Sequence, residues 1–257
     1  MRWLGVVATV MLLHSPGIAE PFDHRPFDAI LSTYVNSGGQ VDYSGLKANR
    51  SSLDAYVDSL ARVSPKSHKG RFVSRAEKLT FWINAYNALV LRGVIDAYPV
   101  KSVKDIKYLS GFFNRTWYKV GGESYTLNNI EHDILRAEFL EPRIHAAINC
   151  ASAGCPRLEA RAFFPDTIES RLEASITIFL REERNVTIDI QNKTVKLSKI
   201  LDWFESDFLG WYKTKFSVED PTIMDYVALY VKEGFKTSWK VQYHKYDWTL
   251  NDQAIIP

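Results

Sequence analysis

The segment that most restricts the fold is Lys78-Leu-Thr-Phe-Trp-Ile-Asn-Ala-Tyr-Asn-Ala-Leu-Val90. Read at 3.6 residues per turn, Leu79, Trp82, Tyr86, Leu89 and Gly93 share one face, while Phe81, Ala85, Ala88 and Leu91 spread around the rest. A helix that is apolar on nearly every side has no solvent face and must be surrounded by other elements. The spacing predicts a long central helix over 75–98, stopped by Pro99, because a proline disfavours helical geometry in the residue before it. Asn84 and Asn87 lie three apart on one stripe of that helix. A buried amide without partners costs roughly 1–3 kcal/mol. These two either bond neighbouring backbone loops or face a site and orient a ligand.

Around this helix the pattern changes repeatedly. Helical spacing is read over 27–34, 51–63, 128–139, 166–180, 198–207 and 221–231. Strand-like stretches are read at 41–43, 144–150 and 241–248. Hairpins are read at 117–120 with 124–126 and at 186–190 with 194–197. With no regular βαβ alternation, the expected class is α+β, a central buried helix packed on a mostly antiparallel sheet. No repeat, low-complexity tract or linker divides the chain, so 20–257 is expected to be a single domain. Residues 1–19 read as a signal peptide: Arg2, an apolar run over 3–13 too short to span a bilayer, then Gly17-Ile18-Ala19. Cleavage after Ala19 would leave an exported protein, periplasmic or secreted, with no membrane span. A formal charge of +2 is too small to point to nucleic acid or an anionic membrane. Nothing in the sequence sets the oligomeric state.

The chemistry-bearing stretch is His145-Ala-Ala-Ile-Asn-Cys150-Ala-Ser-Ala-Gly-Cys155-Pro156, which holds both cysteines of the chain. As a strand, 144–150 would put His145, Ala147 and Asn149 on one face and Cys150 on the other, more apolar one. Cys150 then reads as a structural thiol. Cys155 reads as the cap of a helical turn opened by Pro156, a position that lowers a thiol pKa. Cys155 is the better nucleophile of the pair and His145 its base. Two other readings stand beside this one: a disulfide between the cysteines, and two inert buried thiols. Glu131 and His132 follow Asn128. Glu131 reads either as part of a capping-box variant with Asn128 or as a base or orienter in the cleft. Adjacent helical residues point about 100° apart, so one of Glu131 and His132 is expected to face the cleft. The histidines set no metal-binding pattern, and no cofactor is implied.

Four motifs together resemble the domain of unknown function 547 family. They are Phe81-Trp-Ile-Asn-Ala-Tyr-Asn-Ala-Leu89, Leu127-Asn-Asn-Ile-Glu-His-Asp-Ile-Leu-Arg136, the 145–156 segment, and Tyr246-Asp-Trp-Thr-Leu-Asn251. The resemblance implies a relationship to papain-like and transglutaminase-like folds, in which a thiol at a helix start works with a histidine on a sheet. Here the histidine precedes the cysteine, and by the resemblance Asn84 sits where such a fold would place its nucleophile. The resulting expectation is a thiol-dependent hydrolase or acyl transferase on amide or peptide bonds. Cys155 would attack and His145 would take the proton. Glu131 or Asp247 would orient the imidazole, and Asn84 or Asn87 would donate to the oxyanion. The alternative is a non-catalytic cleft for a small peptide-like or thiol ligand, held by Asn84, Asn87, Trp82, Tyr86 and Trp248. A thiol–disulfide redox protein is a third reading, set back by C-x4-C spacing in place of C-x-x-C.

Overall fold

The computed structural model describes residues 20–107, 111–231 and 234–255. The expected signal peptide at 1–19 lies outside the described residues. The first half is helical: α1 (Arg25–Tyr34), α2 (Tyr43–Ala48), α3 (Ser51–Arg62) and α4 (Arg75–Ala97), then the short α5 (Gly111–Asn114). A two-stranded antiparallel hairpin follows, β1 (Tyr118–Val120) with β2 (Glu123–Tyr125). A π-helical segment, Asn129–Arg136, runs into α6 (Ala137–Phe139), and a 3-10 helix spans Pro142–Ala146. The remainder holds α7 (Ile168–Arg181), β3 (Val186–Asp189), β4 (Thr194–Leu197), α8 (Lys199–Trp203), α9 (Glu205–Phe216), α10 (Ile223–Val227) and β5 (Lys240–Tyr243). The fold is α+β, as the mixed periodicities require.

The central helix forms for the reasons its sequence gives. Ser74 accepts from the Glu77 amide at 3.1 Å, and the Glu77 carboxylate accepts from the Ser74 amide at 2.7 Å, so a reciprocal capping box starts α4. From Leu79 to Leu91 every residue is buried. Gly93 lets other elements close on the helix, because a Cβ there would meet the Tyr118 hydroxyl at 2.3 Å and the Phe112 ring at 2.5 Å.

The packing partner differs from expectation. α4 is wrapped by α2, α3 and the π-helix. The larger sheet lies elsewhere, in the order β3-β4-β5, with β3–β4 antiparallel and β4–β5 parallel. The sheet is therefore mixed, and it does not form the bed of the central helix. Helices α1 to α4 carry enough aromatic and aliphatic surface to enclose one another: Phe27 stacks on Tyr56 at 5.0 Å, and Phe81 meets Phe72 edge-on at 5.1 Å.

Two apolar cores result. One surrounds α4; the other lies among α7, the three-stranded sheet and α8 to α10. Ala146 packs in the second core, whereas Ala147, Ile148 and Ala151 pack in the first. The cysteine segment thus crosses the seam between them.

Candidate active site

The segment leading to the cysteines is not a strand. Pro142 sits in the first turn of the Pro142–Ala146 3-10 helix, and the Glu141 side chain caps that turn by accepting from the Arg143 amide at 3.2 Å. Residues 144–149 are all buried. Alternation can assign faces only when one face is wet, so it carries no information in a segment enclosed on both sides.

Residues 147–149 are held by the central helix instead. Asn87 donates Nδ2–H to the Ala147 carbonyl at 3.0 Å and accepts from the Asn149 amide at 2.9 Å. Asn149 spans the base of the loop that follows, donating to the Pro156 carbonyl at 2.7 Å and accepting from the Ala151 amide at 2.7 Å. Ala151 is left-handed, at φ 62°. A non-glycine residue keeps such a conformation, at about 1–3 kcal/mol, only where its surroundings impose it.

The other rim of the loop is the 246–251 segment. Ala153 and Gly154 donate to the carbonyls of Thr249 and Asp247 at 2.7 and 2.8 Å. A Cβ on Gly154 would lie 2.9 Å from both the amide nitrogen and the carbonyl oxygen of Asp247, so only glycine permits this approach.

Cys150 and Cys155 are joined as a disulfide, with their Cα atoms 6.3 Å apart. Of the three readings of the pair, the disulfide is the one the structure holds. The expected roles of the two sulfurs also reverse: Cys150 is half-buried, while Cys155 is only 4% exposed. No helix follows Pro156, so Cys155 has no helix start to lower its pKa. Hydroxyls crowd the bond. Tyr246 Oη lies 3.0 Å from Cys150 Sγ and 3.1 Å from Cys155 Sγ, and Ser152 Oγ lies 3.1 Å from Cys150 Sγ. Ser152 and Tyr246 are themselves 2.8 Å apart. One of them donates to the other, which leaves the second proton for sulfur. The Cys150 amide adds a hydrogen bond to Cys155 Sγ at 3.0 Å.

A pocket of about 170 Å³ opens beside the disulfide and gathers Cys150, Cys155, Glu131, His132 and His145, with Tyr86, Trp203, Phe204, Tyr246 and Trp248 among its walls. Both Glu131 and His132 line it, although one was expected to turn away. They lie on the π-helix, whose wider i→i+5 turn changes the angular spacing that the expectation assumed. The Glu131 carboxylate takes no part in a cap with Asn128. It accepts from the Tyr86 hydroxyl at 3.0 Å. Burial pushes the Glu131 carboxyl up to about 7, against the opposing pull of Tyr86 and the Arg136 charge.

A charged chain runs behind the pocket. Arg136 donates through Nε and Nη2 to Asp207 at 2.6 and 2.8 Å, and through Nη1 to His132 Nδ1 at 2.7 Å. Arginine has no acceptor, so His132 must accept at Nδ1 and carry its proton on Nε2. His145 Nε2 lies 2.8 Å from Asp207 Oδ2. Burial alone would raise the Asp207 carboxyl, but hydrogen bonds and charge from Arg136 and His145 hold it far below the usual carboxylate range. Asp207 is therefore ionised and His145 Nε2 is the donor. Burial lowers the imidazole pKa, partly offset by Asp207. The neutral ring then keeps Nδ1 as its basic nitrogen. Phe204 stacks on this imidazole with centroids 3.9 Å apart, and the Arg136 guanidinium lies 5.0 Å from the Phe204 ring centroid.

The carboxylate that orients His145 is thus Asp207, not Glu131 or Asp247. Asp247 is exposed and accepts from the Thr249 amide at 2.9 Å. Asn84 and Asn87 do not reach the pocket. Asn84 exchanges two hydrogen bonds with the Phe163 backbone, at 2.9 and 3.0 Å, so neither amide is free for a ligand or an oxyanion. Asn149 likewise holds the loop. The papain-like layout, a thiol at a helix start and a histidine on a sheet, is not what these residues form.

Sequence reasoning missed Asp207, Arg136, Ser152 and the role of Tyr246. The 246–251 motif pointed to the last. Asp207 gives no signal, because the helical spacing runs unbroken over 198–207, whereas the chain breaks at Phe204 and restarts as α9. Among the described residues no group of three or more His, Cys, Asp or Glu is placed to hold a metal ion.

Residues 71–180 match the family described as "Protein of unknown function, DUF547", a stretch that carries the central helix, the π-helix and the cysteine loop. Over that stretch the match bears out the resemblance to the family, and it holds three of the four motifs; Tyr246–Asn251 lies outside it. No curated protein and no solved structure matches the chain.

Proposed function

We propose that the protein is a thiol-dependent hydrolase or acyl transferase on amide or peptide bonds, working in its reduced form with Cys150 as nucleophile. The observation that carries this reading is one small pocket lined by Cys150, Glu131 and His145, with Nε2 of that histidine committed to Asp207. Cys150 takes the role expected of Cys155, because it is the more exposed residue of the pair.

In the reduced protein His145 Nδ1 takes the Cys150 proton, and Asp207 stabilises the imidazolium that results. The thiolate attacks the amide carbon, and the oxyanion takes a hydrogen bond from the Tyr246 or Ser152 hydroxyl. Glu131, protonated below about pH 7, protonates the leaving amine. The Cys150 thioester then passes its acyl group to water or to an acceptor amine. The one hydroxyl proton that Tyr246 and Ser152 leave for sulfur, together with the Cys150 amide, favours a thiolate over a neutral disulfide, which eases reduction. Export to an oxidising compartment, as residues 1–19 lead one to expect, accords with the bonded pair as the resting form.

A second reading, thiol–disulfide exchange, is favoured by the disulfide itself, whose half-buried Cys150 lines the pocket. The third is a non-catalytic cleft for a small peptide-like or thiol ligand, for which the aromatic walls speak. One experiment separates the three. The protein is assayed with and without a phosphine reductant against a panel of fluorogenic peptide amides, and adducts are read by mass spectrometry after iodoacetamide quenching. The proposal expects turnover in the reduced protein alone, an acyl adduct on Cys150, loss in Cys150→Ser and retention in Cys155→Ser. Stoichiometric consumption of the disulfide by small thiols without amide turnover transfers the assignment to exchange. Binding without either reaction leaves the cleft as a receptor.

A further inference from the structure

A second cavity, about 440 Å³, adjoins the reactive pocket and shares Cys155, Pro156 and Tyr246 with it. Its chemistry is different. Arg157, Arg184, Lys199, Lys245 and His244 line it, against the single carboxylate of Asp247. Arg157 and Arg184 pair with Glu182, and Lys199 pairs with Asp202. Once these pairs are made, Lys245 is the exposed cation left over among the described residues that line the cavity. Arg184 also donates to the carbonyls of Ala153 and Cys155, at 2.7 and 3.1 Å, so this cationic wall is fixed directly to the cysteine loop.

The sizes and polarities of the two spaces are complementary. An aromatic pocket near 170 Å³ takes one ring or short apolar side chain. A polar cavity near 440 Å³ falls in the usual range for a small-molecule site and takes an amino-acid or dipeptide unit. The shared wall places the disulfide loop between them. We infer that the substrate is a peptide-like amide with a free carboxylate beyond the scissile bond. Its apolar side chain lies against Trp203, Phe204 and Trp248, and its carboxylate lies in the cationic cavity toward Lys245. This substrate class rests on the acyl-transfer reading, but the recognition it describes is a property of the oxidised protein too.

The test therefore uses binding to the protein with its disulfide intact, where no thiol chemistry occurs. Titration calorimetry compares N-acetyltyrosine with N-acetyltyrosinamide, which differ by the carboxylate alone. The acid should bind about 5-fold more tightly at low ionic strength, the advantage of one solvent-screened charge pair. The preference should shrink to about 2-fold or less in roughly 0.5 M salt. Lys245→Gln should shrink it likewise, and Lys245→Glu should reverse it. Lys245 is exposed, so unchanged melting temperatures would show that these variants fold. Equal affinities, a preference indifferent to both substitutions, or no binding of either compound overturns the inference. Amide turnover by the reduced protein is scored separately. Lack of turnover with the carboxylate preference intact sinks the catalytic reading alone, and the opposite pattern sinks this one alone.

Discussion

At the residue scale, Asp207 decides what His145 can do. It fixes the imidazole by its Nε2 proton and receives two guanidinium hydrogen bonds itself, so it stays ionised while the ring stays neutral. Asp207→Asn keeps the shape but can offer an amide N–H to Nε2, which favours the wrong tautomer. On the proposed acyl-transfer reading, a loss of about 10²–10⁴ in kcat is expected for the reduced protein, on the precedent of triad carboxylates. On that same reading Glu131 sets the pH response. Its folded value of about 7 lies above its ordinary 4.5. Acylation should rise at low pH as His145 loses its proton and fall as pH passes about 7. Glu131→Gln should remove the alkaline limb and most of the acylation rate with it, because an amide has no proton to give the leaving amine. The same group leaves a mark on stability. Between about pH 4.5 and 7 the unfolded chain ionises Glu131 before the folded one does, so stability falls as pH rises through that window. Thermal melts of Glu131→Gln should show this loss reduced, by about 3 kcal/mol at pH 8.

At the element scale, the π-helix, the central helix and the break at Phe204 place the side chains that the pocket uses. How much of this the sequence disclosed varies with the element. The central helix was legible because its capping box, its terminal proline and its all-round apolar surface agree with one another. The Asn84 and Asn87 amides announced that something had to bind them, but a sequence does not say whether a partner is a ligand or a backbone turn. They prove to be clips, holding Phe163 and the 147–149 stretch. Asn84→Ala would leave a buried N–H and a buried carbonyl unpaired, at about 2–4 kcal/mol. Its melting temperature should fall by roughly 5–15 °C. Asn87→Ala should add loss of activity to a similar fall, because its clip ends one residue before Cys150. The π-helix and the α8–α9 break were not legible: both hang on hydrogen-bond register, which hydrophobic spacing does not encode.

At the scale of the whole molecule, the site lies where two cores meet, so either core can hold it when the cysteine bond is open. The bond closes a loop of only five residues' separation. By loop entropy such a link contributes about 2 kcal/mol. Melting with and without a phosphine reductant should therefore differ by no more than about 10 °C, with one cooperative transition in both states. Collapse of the fold on reduction would remove the basis for thiol catalysis. The α+β class held at this scale, but helices cover more of α4 than strands do, because either can cover it and which of them does depends on contacts far apart in sequence. One such contact has a consequence for how the protein is made. Tyr246 caps the sulfurs from 96 residues away. At about 5–20 residues per second, the two thiols wait on the order of 5–20 s after their own synthesis before this lid is even made. Through that interval a growing chain carries them uncovered, open to stray oxidants and to thiols on other molecules.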